Sequence, residues 1–114
     1  MVVDLAFSPD GARLVSASAD ASSRVWDAAT GVCLHVYAPN LGAVYSVCIS
    51  PEGLLAIGFH SGAVRIYLHP GSDELVKAVH FHDSVPRVRF APARGALGRA
   101  VFVTASVKCL MFLV

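Results

Sequence analysis

Phe7-Ser8-Pro9-Asp10-Gly11 returns 42 residues later as Ile49-Ser50-Pro51-Glu52-Gly53, and 41 residues after that in weaker form as Phe90-Ala91-Pro92. The likeness extends upstream, where Val2-Val3-Asp4-Leu5-Ala6, Val44-Tyr45-Ser46-Val47-Cys48 and Val85-Pro86-Arg87-Val88-Arg89 share one layout. Downstream, each proline is followed by a turn, an apolar stretch and a second strand-like run that ends in an aromatic. Those aromatics are Trp26, Tyr67 and Phe112, spaced 41 and 45 residues apart. The extra length of the third unit falls in Arg94-Gly95-Ala96-Leu97-Gly98-Arg99, a loop insertion by its composition. Self-similarity at a period in the forties marks a repeat architecture.

Within each unit the units of structure are short. Leu5 and Phe7, Val47 and Ile49, and Val88 and Phe90 alternate with smaller or polar residues, the two-residue period of a β-strand. Ser-Pro-Asp-Gly and Ser-Pro-Glu-Gly place proline where a fixed φ opens a turn and glycine where positive φ costs least. Second strands are predicted at 14–18, 54–59 and 100–104, third strands at 24–26, 64–67 and 110–112, and fourth strands at 33–37 and 75–80. No stretch has helical apolar spacing of useful length. The fold class is all-β, and four strands per unit at this period is the arithmetic of a β-propeller blade.

Composition agrees with buried sheets. Hydrophobic residues make up 55% of the 114-residue chain and charged residues 15%, which is too apolar for a disordered tail. The most apolar run, 109–114, falls far short of the roughly 20 residues a helical bilayer span needs, so no membrane partner is expected. The opening Met1-Val2-Val3-Asp4 lacks the basic-then-apolar layout of a secretory signal. Cys33, Cys48 and Cys109 form no CxxC pair and read as reduced, buried strand residues, which suits a cytoplasmic protein, with the nucleus second. Net charge is +1, but from Val85 onward Arg87, Arg89, Arg94, Arg99 and Lys108 meet no acidic residue. That basic third repeat supports an alternative reading, binding of nucleic acid or an acidic protein surface. No aromatic residues interleave with the arginines for base stacking, so nucleic acid is the weaker partner.

Phe7-Ser8-Pro9-Asp10-Gly11, Ser16-Ala17-Ser18-Ala19-Asp20, Arg24-Val25-Trp26-Asp27 and Thr30-Gly31 together strongly resemble a WD40 repeat. The resemblance is specific in the first repeat, fair in the second and weaker in the third. It divides the chain into units at approximately 1–38, 39–81 and 82–114: two complete four-stranded antiparallel blades and one partial one. It also implies a structural hydrogen-bonded set of His, Ser or Thr, Asp and Trp in each repeat. Ser18, Asp20 and Trp26 take those places in the first repeat, where the histidine is missing. In the second repeat Leu41, Ser61 and Tyr67 occupy them, so the set is lost. In the third, His82 takes the histidine's place, but Ser106 stands for the Asp and Phe112 for the Trp.

The resemblance implies a scaffold that holds other proteins or peptides, of the kind that organises cytoskeletal, ciliary or signalling assemblies. Partner-facing loops are expected at Asn40 and Leu41, at His60 and Ser61, and at His82 and Asp83. The Arg that some ubiquitin-ligase receptors of this family carry two places after Trp-Asp is replaced here by Ala29. His80 and His82 could share a strand face and bind metal, yet a strand-end residue and a repeat histidine account for them, and no cofactor is expected. No nucleophile elbow or convergent polar triad points to an enzyme. Propellers close into rings of about four to eight blades, so two and a half blades imply a piece of a longer WD-repeat protein, or a ring completed by copies or a partner. Uncovered faces are expected to expose Leu5, Phe7, Val88 and Phe90.

Overall fold

Turn chemistry sets the framework. In the computed structural model, which describes residues 2–80, 87–90, 100–105 and 108–113 and the side chains of 2–80, 88 and 89, the two proline turns have the same construction. Gly11 N donates to Ser8 O and Gly53 N to Ser50 O, each at 2.9 Å, with φ at +72° and +98° for the two glycines. A β-branched or bulky residue is strained at such φ values, which is why glycine follows the acidic residue both times.

Each turn joins the first two strands of a meander. Strands β1 (Val2–Phe7), β2 (Arg13–Ser18), β3 (Ser23–Asp27) and β4 (Cys33–Tyr37) form one antiparallel sheet in sequence order. Strands β5 (Val44–Ile49), β6 (Leu55–Phe59), β7 (Ala63–Tyr67) and β8 (Leu75–His80) form a second sheet of the same order. Strands β9 (Arg87–Phe90), β10 (Ala100–Ala105) and β11 (Lys108–Leu113) make a third, three-stranded sheet with β10 in the middle. The registers repeat as well: Phe7 faces Leu14 and Leu14 faces Trp26, as Ile49 faces Leu55 and Leu55 faces Tyr67. No helix occurs among the described residues.

The sheets stack through their first strands, β1 beside β5 and β5 beside β9. Because cross-strand partners share a face, Ala6, Val15 and Val25 lie on one side of the first sheet, together with Ala17 and Tyr37. They pack against Val44, Val47, Leu55, Ile57, Phe59, Ala63 and Tyr67 of the second. Most of these side chains are excluded from water, at about 1.5–3 kcal/mol for each large one. The hydrophobic core therefore lies between sheets, and each sheet depends on its neighbour.

The other side of the first sheet has no such cover. Leu5 is 55% exposed and Phe7 61%, whereas Val47 at the place equivalent to Leu5 is 1% exposed. Val88 corrects the expectation that it would be exposed: it is fully buried. Its position matches Val47, whose side chain faces the preceding sheet, so the second sheet covers Val88 as the first covers Val47. The side chain of Phe90 lies outside the described residues. Cys33 and Cys48 are free thiols on strands, half-buried rather than fully so.

Candidate functional site

The residues singled out in the first repeat make polar contacts in two separate groups. Trp26 Nε1 donates to Ser16 Oγ at 3.0 Å, so the hydroxyl expected from Ser18 belongs to Ser16. Register explains the difference: Leu14 pairs with Trp26 and Ser16 with Arg24, so Ser16 lies two residues along the same sheet face as the indole. Ser18 instead works in the turn, where its Oγ accepts from Asp20 N at 3.3 Å. Asp20 Oδ1 accepts from Ser22 N at 3.0 Å and from Ser22 Oγ at 2.5 Å. The Ser22 hydroxyl, then that of Ser18, hold the Asp20 carboxyl below its usual pKa. One group, Ser18, Asp20 and Ser22, closes the turn, and the other, Ser16, holds the indole.

At Leu41 and Tyr67 of the second repeat, hydrophobic contact replaces polar bonding. Leu41 packs on the core, and the Tyr67 ring lies 4.4 Å from that of Tyr37. His82, Asp83 and Ser106 lie outside the described residues, as do Arg94 and Arg99 of the basic third repeat.

The two other expected partner loops converge. Residues 38–43 link β4 to β5, and residues 60–62 turn from β6 into β7, at the end of β5 away from Pro51. His60 N donates to Ala43 O at 2.8 Å. A methyl on Gly42 would stand 3.7 Å from Ser61 N, so the loops touch at backbone level. Asn40, His60 and Ser61 are exposed and Leu41 is half-buried. Tyr45, which the sequence did not single out, joins them: its ring meets the His60 imidazole edge-on at 5.1 Å and remains exposed. Its signal was weak, an aromatic at an outward place in β5, one residue into the strand.

A second feature escaped the sequence reading. Asp4 Oδ2 accepts from Val47 N and Ser46 Oγ, each at 3.1 Å, across the first sheet boundary. Ser46 Oγ accepts from Val88 N at 3.1 Å across the second. Asp4 and Ser46 are equivalent, five residues before their prolines, so one joint recurs around the stack. At Leu5, the place matching Val47 and Val88, the N–H donates to Asp4 Oδ1 at 3.0 Å. Arg89 leans into this column: its Nη1 donates to Val88 O at 2.6 Å and Ser46 Oγ at 3.2 Å, and stands 3.8 Å from Asp4 Oδ2.

The β7–β8 loop is strapped to the first sheet. Arg13 Nη1 donates to Pro70 O. The Tyr37 hydroxyl donates to Ser72 O at 2.7 Å and accepts from Gly71 N at 2.9 Å. His35 Nε2 lies 3.1 Å from Asp73 Oδ1. Burial pushes the Tyr37 phenol up to about 12. Among the described residues, no group of three His, Cys, Asp or Glu side chains is placed to hold a metal, and no helix is long and apolar enough to cross a membrane.

Stacked four-stranded meanders joined through their first strands define blades of a β-propeller. Solved structures, one of them a propeller by name, superpose on nearly the whole chain. The Dos1 propeller covers 98% of it with a TM-score of 0.80 at 17% identity, and the chain spans 33% of that structure. Kuenenia stuttgartiensis hydrazine synthase covers 93% with a TM-score of 0.77 at 18% identity, the chain spanning 29% of it. At these identities the likeness is one of fold alone.

The first blade is similar to WD40 repeats. Residues 1–27 match the family model described as WD domain, G-beta repeat. WD repeat-containing protein pop1 of Schizosaccharomyces pombe is 57% identical over 42 residues, 37% of this chain. The chain spans only 5% of the length of that relative.

Proposed function

We propose that this chain is a protein-interaction scaffold that holds a partner protein on the surface formed by Asn40, Leu41, Tyr45, His60 and Ser61. The observation that carries this reading is the convergence of two loops, tied by the His60–Ala43 hydrogen bond, into one exposed patch with a paired aromatic and imidazole. Rigid aromatic groups beside adaptable polar ones are what protein interfaces use for anchoring. WD40 sequence in the first blade and propeller stacking throughout favour the same reading, since WD40 propellers are generally scaffolds rather than catalysts.

The scaffold belongs to a larger ring in this proposal. Leu5 and Phe7 stand where the second blade buries Val47 and half-buries Ile49 against the first, so a further blade fits that face. Free thiols at Cys33 and Cys48 suit the cytoplasm or nucleus. The nucleic-acid alternative draws less support, because Arg89, one of its five basic residues, is occupied by Ser46, Val88 and Asp4. The test is affinity capture with the chain and with a Leu41→Ala, Tyr45→Ala, His60→Ala variant whose circular dichroism matches. Partners retained in full by the variant would remove this surface from the proposal.

A further inference from the structure

On the side of the blades opposite that patch, a cleft of about 480 Å³ opens between the first and second blades. Its walls are Ser8, Pro9, Asp10 and Arg13 of the first blade, and Pro51, Glu52, Gly53, His69 and Pro70 of the second. None of its lining residues belongs to the Tyr45–His60 patch. We propose that this cleft binds a Lys or Arg side chain of an extended basic peptide segment from a partner protein.

Preorganisation is the first support. The two walls belong to different blades, yet Arg13 bonds Pro70 O, and Tyr37 holds Gly71 and Ser72 just beyond it. On the Asp10 side, Ser8 Oγ donates to Asp10 Oδ1 at 2.6 Å and Ala12 N donates to it at 2.9 Å. A cleft whose walls are already fixed loses little freedom when it is filled.

Charge is the second. Two exposed carboxylates, Asp10 and Glu52, line the cleft at equivalent places in successive blades. The Ser8 hydroxyl and the Ala12 N–H hold Asp10 below the usual carboxylate range, so it is ionised at neutral pH. Arg13 in the wall bonds the neutral Pro70 carbonyl and keeps its charge, so the two carboxylates outweigh it and leave the cleft negative; His69 Nδ1 lies 3.2 Å from the same carbonyl oxygen. A negative cleft concentrates positive ligands.

Shape is the third. Rings from Pro9, Pro51 and Pro70 supply apolar wall beside the carboxylates. A long side chain with an aliphatic stem and a cationic tip matches both parts at once. A phosphate or an acidic peptide would meet two carboxylates, and a purely apolar side chain would leave them uncompensated.

The test is fluorescence anisotropy of the full chain with a labelled (Gly-Lys)4 peptide, against (Gly-Glu)4 and (Gly-Ser)4 of equal length. The lysine peptide is expected to bind, and its affinity to fall with added salt. Glu52→Gln, which touches none of the turn hydrogen bonds, is expected to weaken binding about two- to fivefold, the range for one exposed charge pair. Asp10→Asn with Glu52→Gln should weaken it about tenfold, with circular dichroism confirming the fold. Glu74→Gln, an equal loss of charge in the β7–β8 loop but outside the cleft, is expected to change affinity less than twofold. Equal weakening by Glu74→Gln would replace the cleft with a diffuse acidic surface and overturn the assignment. Equal binding of the three peptides, or none by the lysine peptide, would overturn it too. Because the cleft and the Tyr45–His60 patch lie at opposite ends of β5, failure of either leaves the other standing.

Discussion

Replacing Tyr37 by Phe removes one oxygen and leaves the ring. That oxygen serves two backbone groups of the other blade, the Ser72 carbonyl at 2.7 Å and the Gly71 N–H at 2.9 Å. The ring contacts with Tyr67 and His35, at 4.4 and 4.5 Å, survive the change. Each hydrogen bond contributes about 0.5–1.5 kcal/mol net, so the variant should lose roughly 1–3 kcal/mol. That is a sizeable part of the about 5–15 kcal/mol by which domains are stable. With a urea slope of about 1–3 kcal/mol per molar, the unfolding midpoint should fall by roughly 1 M.

Proton linkage adds a second signature. The Tyr37 phenol titrates at about 12 in the folded chain against 10.0 unfolded. The folded state thus holds this proton more tightly, and the resulting stability is fully present below pH 10 and lost as pH rises toward about 12. The gap between wild type and Tyr37→Phe should stay constant up to about pH 10 and narrow above it. Coincident urea curves at pH 7, or a gap that widens with alkali, would show that the phenol does not bridge the blades.

Phe59→Ala should cost about 3–5 kcal/mol, because a fully buried ring between blades leaves a cavity; an unfolding midpoint within error of wild type would contradict the packing. Ser22→Ala removes the larger of the hydroxyl contacts that depress Asp20, so the Asp20 carboxyl should titrate higher by NMR, and an unmoved midpoint would place its support elsewhere. In the wild type the stability held by the depressed Asp10 and Asp20 is present above 3.8 and declines as pH falls through their folded values, which acid unfolding of Ser8→Ala and Ser22→Ala should expose as a reduced slope. Leu5→Lys with Phe7→Lys should reduce self-association in sedimentation without lowering the unfolding midpoint, since both side chains are exposed; a destabilised variant would mean that this face is already covered.

Most of the fold could be read from the residues because turns and period speak locally. Ser-Pro-Asp-Gly turns on hydrogen bonds made among residues 8–13, and the predicted strands at 33–37 and 75–80 coincide with β4 and β8. What depended on neighbouring sheets was harder. Val88 looks like any strand hydrophobe, and only the handed order of stacking decides that its side is covered and that of Leu5 is not. Ser16 and Ser18 are equivalent candidates by composition; the pairing of β2 with β3 chooses Ser16 for the indole. Asp4 and Ser46 carried no motif, since their partners are main-chain groups 43 and 42 residues away, which leave no mark in side-chain identity.

The Asp4–Val47 and Ser46–Val88 joints give the array a direction. Each link sets a short acceptor on one module against an amide of the next, so modules can join head to tail but not head to head. The acceptor can be a carboxylate or a hydroxyl, as Asp4 and Ser46 are here, while the amide cannot be lost except to proline. Such a coupling tolerates gene duplication well: a copied module arrives already carrying both halves of the fastening. A carboxylate also has a spare oxygen, and at Asp4 that oxygen satisfies the Leu5 amide from within its own module.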